Sequence, residues 1–191
     1  MELARGLMTG EPINQAQVRA AVEDQGFDWL YREETGSTNA DALQHHADHG
    51  REVVAFAEAQ SAGRGRRGRQ WLSPFARNIY CTVGIGREIP AARQGLLSIV
   101  TGVALCRALR TQTGLAVKLK WPNDLLLADA KLGGILIESR AFDVGHYFFA
   151  IGFGLNLQMS ADELATLDRP ATSLCQALGD DLDRSKLLVA S

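Results

Sequence analysis

The sequence predicts an α+β fold, a mixed, mainly antiparallel sheet with helices packed on it. Three observations lead there. Short segments rich in β-branched and aromatic residues follow one another closely, which favours hairpin neighbours over repeated βαβ crossovers. Two longer segments space their apolar residues at helical intervals. The 191 residues are 46% hydrophobic and 22% charged, so the chain can bury roughly 70% of its unfolded surface without a disulfide or metal. At about 150 residues per domain, that length predicts one domain over 1–191.

The elements follow in order. Ile13 to Asp24 is expected as a short helix and Asp28 to Glu34 as a strand. Gly36-Ser37-Thr38-Asn39 then offers a turn and an N-cap, for a helix that runs to His49 and ends on Gly50. Glu52 to Ala59 reads as a strand through its β-prone Val53-Val54-Ala55-Phe56, and Asn78 to Ile85 reads as another. Ala91 to Gln112 is expected as one long helix, with Leu97, Val100, Ala104 and the Leu96/Val103 pair at helical spacing. Leu115, Val117 and Leu119 alternate with Ala116, Lys118 and Lys120, so both lysines project from one face of a strand. Short strands are expected at Leu125–Leu127, Gly133–Glu138 and His146–Gly152. Ser160-Ala-Asp-Glu163 is a capping box, and Asp183 is placed to cap a last helix.

Composition narrows the function. The 20 Lys+Arg against 22 Asp+Glu leave a net charge of −2, which argues against a general nucleic-acid or membrane binder. Cys81, Cys106 and Cys175 are odd in number, widely spaced and without CxxC or Cys/His partners, as expected of a reduced, cytoplasmic protein without structural zinc. His45, His46 and His49 are expected to decorate the exposed end of a helix. Glu2 and Arg5 interrupt the start, so no signal peptide is expected in Met1 to Gly10. The apolar stretch Gly95 to Leu109 is too short and too interrupted to span a bilayer.

Four segments could carry chemistry. Gly63 to Arg69, within Gln60 to Trp71, packs four arginines and three glycines into seven residues. Without those arginines the chain has 16 basic and 22 acidic residues, a net −6, so the loop is a positive spot on an acidic body. Glycines let a backbone approach a ligand closely, and guanidinium forks match phosphate or carboxylate oxygens. A solvated loop, a nucleic-acid loop and an anion-binding loop all fit the local pattern, and its place after an apolar strand with Trp71 beyond favours the last. Lys118-Leu-Lys120-Trp-Pro-Asn-Asp124 ends a strand in a tight turn. It reads either as a hairpin with an exposed ion pair or as a carboxylate able to help hold Mg²⁺ beside a phosphate. Lys131-Leu-Gly-Gly-Ile-Leu-Ile-Glu138 puts a lysine before an apolar strand, where it is either a turn residue or a cation for a developing oxyanion. Gly152-Phe-Gly-Leu-Asn156 lacks the third glycine of a dinucleotide site.

In this order and at these spacings, together with Ser37-Thr38-Asn39 and Ala171-Thr-Ser-Leu174, the segments resemble the catalytic domain of bacterial biotin protein ligases. The similarity runs over roughly 28–174. It implies a fold shared with class II aminoacyl-tRNA synthetases and an ATP-dependent, AMP-forming reaction. Biotin and Mg-ATP would give biotinyl-5′-adenylate, and biotin would pass to a lysine of a biotin carboxyl carrier protein, such as that of acetyl-CoA carboxylase. The resemblance implies that Lys131 and Arg66 are catalytic. It implies that Ser37, Thr38, Asn39, Gln60, Arg64, Gly65, Arg66 and Lys131 bind biotin. Trp71, Lys120 and Asn156 would bind the nucleotide, and Asp124 the Mg²⁺.

The family pattern is departed from at both ends. Residues 1–27 leave no room for the N-terminal helix-turn-helix of many such ligases, so no DNA binding is expected. The small C-terminal β-barrel domain is also expected to be absent after Ser191. Exposed sheet edges in this architecture make a homodimer the expected assembly. Three other readings compete. A lipoate or octanoate ligase would need a longer apolar channel, a regulatory binding protein would not transfer, and a nucleic-acid binder would show steep salt dependence.

Overall fold

The computed structural model describes residues 10–180 and 182–190. The expectation about a leader therefore falls mostly outside the described residues, since 1–9 are among those left out. The chain opens with α1 (Gln15–Asp24), whose N-cap Asn14 accepts from the Gln17 N–H. Then come β1 (Asp28–Thr35), α2 (Thr38–His49), β2 (Val53–Gln60) and β3 (Ile79–Arg87). α3 (Ala91–Gln94) and α4 (Leu96–Thr113) precede four strands, β4 (Lys118–Lys120), β5 (Asp124–Leu127), β6 (Ala130–Asp143) and β7 (His146–Leu155). Short helices α5 (Ala161–Ala165), α6 (Leu174–Leu178) and α7 (Arg184–Ala190) close it.

All seven strands join one sheet in the order β1-β2-β3-β7-β6-β5-β4. Only β1 and β2 run parallel, because α2 between them returns the chain to the same sheet end, and every other pairing is antiparallel. The mixed, mainly antiparallel expectation holds.

Alternation along β2 divides the interior. Val54 and Phe56 enter a large core with Cys81, Phe153 and Leu155, covered by Val18 of α1, Leu105 and Leu109 of α4, and Leu187 of α7. Val53 and Ala55 face the other way, into a small cluster with Ala42 of α2, Phe148 and Ala150. Each fully buried side chain of Phe or Leu size contributes about 1.5–3 kcal/mol, so β2 is held from both faces. On the large-core side Glu58 and Arg184 form a buried ion pair at 2.6 Å. Glu58 also accepts from the Ile13 N–H and the Tyr31 hydroxyl, and Arg184 donates to the Asn78 carbonyl. This network ties the first and last described segments to the sheet.

Several expected elements differ. The long helix divides at Gly95. Within α4 the buried positions are Gly102, Leu105, Cys106 and Leu109, while Leu96, Val100 and Val103 are exposed. Gly102 decides this: a Cβ there would lie 2.5 Å from Leu119 Cδ1, so the helix rests its smallest residue on β4. The strand expected from Leu115 is shorter, β4 pairing only Lys118–Lys120 with β5. Lys131 lies inside β6 instead of in a turn before it. The histidine cluster is not simply exposed. His45 binds Asp28 at 2.8 Å, His46 stacks on Phe148, and only His49 is open to solvent. Asp183 does cap α7, accepting from the Ser185 and Lys186 N–H groups, and the Ser160–Glu163 capping box forms.

Candidate active site

β7 forms the floor of a large cleft in the α2 face of the sheet. Gly152 and Gly154 alternate toward α2, and neither could carry a side chain. A Cβ on Gly152 would fall 2.1 Å from Asn39 Oδ1, and one on Gly154 would fall 2.5 Å from the Trp71 indole. The Gly-x-Gly that lacked the third glycine of a dinucleotide site is a shallow floor against which an amide and an indole pack. Above it opens a cavity of about 660 Å³, within the range of small-molecule sites.

One end of the cavity is built by the start of α2. Ser37, Thr38 and Asn39 are all buried there. The Gln60 carboxamide oxygen accepts from the Thr38 N–H at 3.0 Å, and its Nε2 donates to Ser73 Oγ at 3.1 Å. Thr82 of β3, fully buried beneath them, lies 2.8 Å from Thr38 Oγ1 and 2.7 Å from Asn39 Oδ1. This end is polar but carries no formal charge of its own.

The other end is cationic. The glycine–arginine loop folds on itself: Gly65 N–H donates to the Arg69 carbonyl, Trp71 N–H to the Gly63 carbonyl, and a single 3₁₀ turn spans Arg66–Gly68. Arg67 takes the left-handed φ of 60° inside that turn and is not part of the lining, whereas Arg64, Arg66 and Arg69 line the cavity. Arg66 also donates to Asn123 Oδ1 at 3.4 Å, tying the loop to the turn after β4. Opposite it, Lys131 Nζ sits 2.7 Å from Asp124 Oδ1 and 5.4 Å from the Trp71 ring centre. Trp71 Nε1 is buried without a hydrogen-bond partner among the described residues.

The structure gathers eleven of the twelve residues singled out from the sequence around this cavity: Ser37, Thr38, Asn39, Gln60, Arg64, Gly65, Arg66, Trp71, Asp124, Lys131 and Asn156. Lys120 is the exception. It faces Asp124 across the β4–β5 ladder but is exposed and does not line the wall. Asn156 is buried, and its amide donates to the Thr172 carbonyl at 3.2 Å, so that donor is already used by the protein.

Sequence reasoning missed one wall, the segment from Thr166 to Arg169 that leads into Ala171. It is held to Lys131 by the Lys131 N–H to Pro170 carbonyl and Thr172 N–H to Lys131 carbonyl bonds. Nothing local in Asp168-Arg169 announces a site; only the fold carries it there. Asn123 and Arg69, inside the segments singled out above but given no role of their own, also line the cavity.

This sheet, with one helix crossing from β1 to β2 and a cavity that is neutral at one end and cationic at the other, is a synthetase-type α+β fold of the class II kind. The chain belongs to the biotin/lipoate A/B protein ligase family, whose pattern it matches over residues 30–156. It is 42% identical over 135 residues to the bifunctional ligase/repressor BirA of Escherichia coli, covering 70% of this chain and 41% of that one. It is 36% identical over 177 residues to the biotin–[acetyl-CoA-carboxylase] ligase of Mycobacterium tuberculosis, covering 85% and 62%. Among solved structures, the biotin protein ligase of Leishmania major in complex with biotinyl-5-AMP superposes with a TM-score of 0.71 at 28% identity, covering 85% of this chain and 71% of that one. The Aquifex aeolicus biotin protein ligase in complex with biotin and ATP gives 0.68 at 26%, covering 85% and 66%. The chain spans about half the length of the curated relatives it matches. No helix among the described residues is long and apolar enough to cross a membrane.

Proposed function

We propose that the chain activates biotin with ATP and passes it to a lysine of a biotin carboxyl carrier protein. One observation carries this reading: the buried hydroxyl and amide groups around Ser37–Asn39 and the cations Arg64, Arg66 and Lys131 share one cavity. A neutral bicyclic urea suits the first group and a carboxylate meeting an α-phosphate suits the second. Ser37, Thr38, Asn39 and Gln60 would hold the ring end of biotin, with Arg64 and Gly65 beside them. Trp71, packed against Gly154, would stack on the adenine, and Asn156 would border it.

In the first step a biotin carboxylate oxygen forms a bond to the α-phosphorus, and the bond to the bridging oxygen breaks, releasing pyrophosphate. Bringing two anions into line requires fixed positive charge. Lys131 is the main candidate, since Asp124 holds its ammonium in place at 2.7 Å until substrate oxygens share it. In the second step the carrier lysine's amine attacks the activated carbonyl carbon, and AMP leaves with the bonding pair. The arginine loop, with Arg66 tied to Asn123, would cover the adenylate and exclude water.

The donor set fits Mg²⁺. No group of three or more metal-ligating side chains exists among the described residues, and Mg²⁺ is commonly held by one or two carboxylates plus substrate phosphates. Asp124 would supply that carboxylate, and the ion would neutralise phosphate charge. The exposed Lys120 would reach the outer phosphates from the rim. We further propose a cytoplasmic enzyme, which the buried, reduced thiols of Cys81 and Cys106 support, that acts as a homodimer.

Calorimetric titration with biotin and then lipoate, followed by pyrophosphate release with biotin and Mg-ATP, tests this. Biotin binding with release supports the reading, and binding of neither acid ends it. Lys131→Ala is expected to lower pyrophosphate release at least a hundredfold with biotin binding retained, as for other removed transition-state stabilisers; near-normal release would take Lys131 out of the catalytic role.

A further inference from the structure

Glu138, on β6, does not itself line the cavity but bonds to Asn39 and Arg64, which do. Its Oε2 accepts from Asn39 Nδ2 at 2.9 Å and from Arg64 Nη2 at 3.1 Å. Its side chain is about three-quarters buried, at 27% exposure, while Arg64 is half exposed. An exposed ion pair alone holds a loop weakly, so the meaning lies in the shared carboxylate oxygen.

The directions of the hydrogen bonds around it are determined by chemistry. The Asn39 side-chain atom 3.2 Å from the Leu136 carbonyl must be the NH₂, because a backbone carbonyl only accepts. Its second proton goes to Glu138. Asn39 Oδ1 is therefore an acceptor, and the Thr82 hydroxyl must donate to it across 2.7 Å. Thr82 has no second proton, so the 2.8 Å contact to Thr38 Oγ1 needs the Thr38 proton, for which the Gln60 carboxamide oxygen at 3.3 Å is the only other acceptor among the described residues. Thr38 is then left with lone pairs alone for anything in the cavity, and Asn39 Oδ1 likewise.

We propose that Glu138 is a positioning residue that, together with the Leu136 carbonyl, holds Asn39 in this one-way relay and docks Arg64 onto it, so that the closed end of the cavity accepts hydrogen bonds from ligand N–H donors. A cyclic urea has two such donors and a dithiolane ring has none. Glu138 thereby couples recognition of the ring to seating of the arginine loop. This rests on the biotin reading above.

The test compares wild type with Glu138→Leu and Glu138→Gln in pyrophosphate release at varied biotin and ATP. For Glu138→Leu the KM for biotin is expected to rise about tenfold, the loss of one hydrogen bond to a charged group. KM for ATP and kcat at saturating biotin stay within about threefold of wild type on the same grounds. Glu138→Gln, which keeps an acceptor for Asn39, recovers part of the biotin KM. Biotin methylated on a ureido nitrogen supplies the second readout: wild type discriminates strongly against it, and Glu138→Leu discriminates less. A biotin KM unchanged in Glu138→Leu, an equal rise for both substrates, or undiminished discrimination overturns the proposal. If Glu138→Leu does not fold, Thr82→Val cuts the same relay, and its discrimination must fall. Wild-type chain that turns over no biotin would instead overturn the functional reading beneath it.

Discussion

Trp71 packs against Gly154: the indole lies where a side chain on residue 154 would be, with its Nε1 and Cε2 2.5 Å from the Cβ position. The same indole sits 5.4 Å from Lys131 Nζ. Gly154→Ala must therefore push the ring off the sheet, because β7 is paired on both sides and cannot retreat. The expected result is at least a tenfold weaker ATP affinity with biotin affinity within about twofold, since overpacking displaces the indole but leaves the α2 end in place. Separate titrations of the two ligands check this, and an ATP affinity equal to wild type would show that the indole is not part of the nucleotide site.

The arginine loop is joined to the rest of the cavity wall by a few exposed bonds, Arg66 to Asn123 among them. Arg66→Gly is expected to leave adenylate formation measurable and to let the adenylate escape, because a lid held by so little depends on each of them. The observable is biotinylation of an unrelated lysine-rich protein added to the reaction, which should increase. Retention of the intermediate as tight as wild type would assign closure to another part of the loop.

Glu58 and Arg184 are the most buried charges described, at 0% and 4% exposure. Removing one leaves the other without its counter-ion in the interior. Arg184→Met is expected to cost about 3–5 kcal/mol in urea unfolding. The double variant Glu58→Gln/Arg184→Met should recover a large part of that loss. A single variant within about 1 kcal/mol of wild type would mean that water reaches Glu58.

Glu163 provides a pH signature. Burial raises its carboxyl, but the Ser160 N–H and the Arg77 guanidinium outweigh this and hold it below the ordinary glutamate range. A carboxyl lowered by folding adds stability above its unfolded pKa of about 4.3 and loses it as pH falls through the lower folded value. The wild type should therefore lose more stability between neutral pH and the acid side of that window than Glu163→Gln does. With about a third of the side chain exposed, the effect is small. Parallel acid limbs in the two proteins would sink the assignment.

The amino-acid order by itself determined most of the strands, the capping residues Ser160 and Asp183, and many of the residues that line the cavity. These are local matters. Alternation, turn residues and N-caps act over a few positions, and Gly63–Arg69 and Lys131 stand out by composition and by likeness to a known family. Only the tertiary structure decided which apolar stripe of α4 faces inward, because contact between Gly102 and Leu119 outweighs the larger but outward Leu96, Val100 and Val103. Only it moved Lys120 off the cavity wall, brought Asp168 and Arg169 onto it, and joined Glu138 to Asn39 across nearly a hundred residues of chain. Packing density and the need to satisfy buried polar groups are properties of the assembled interior. No window along the chain contains them.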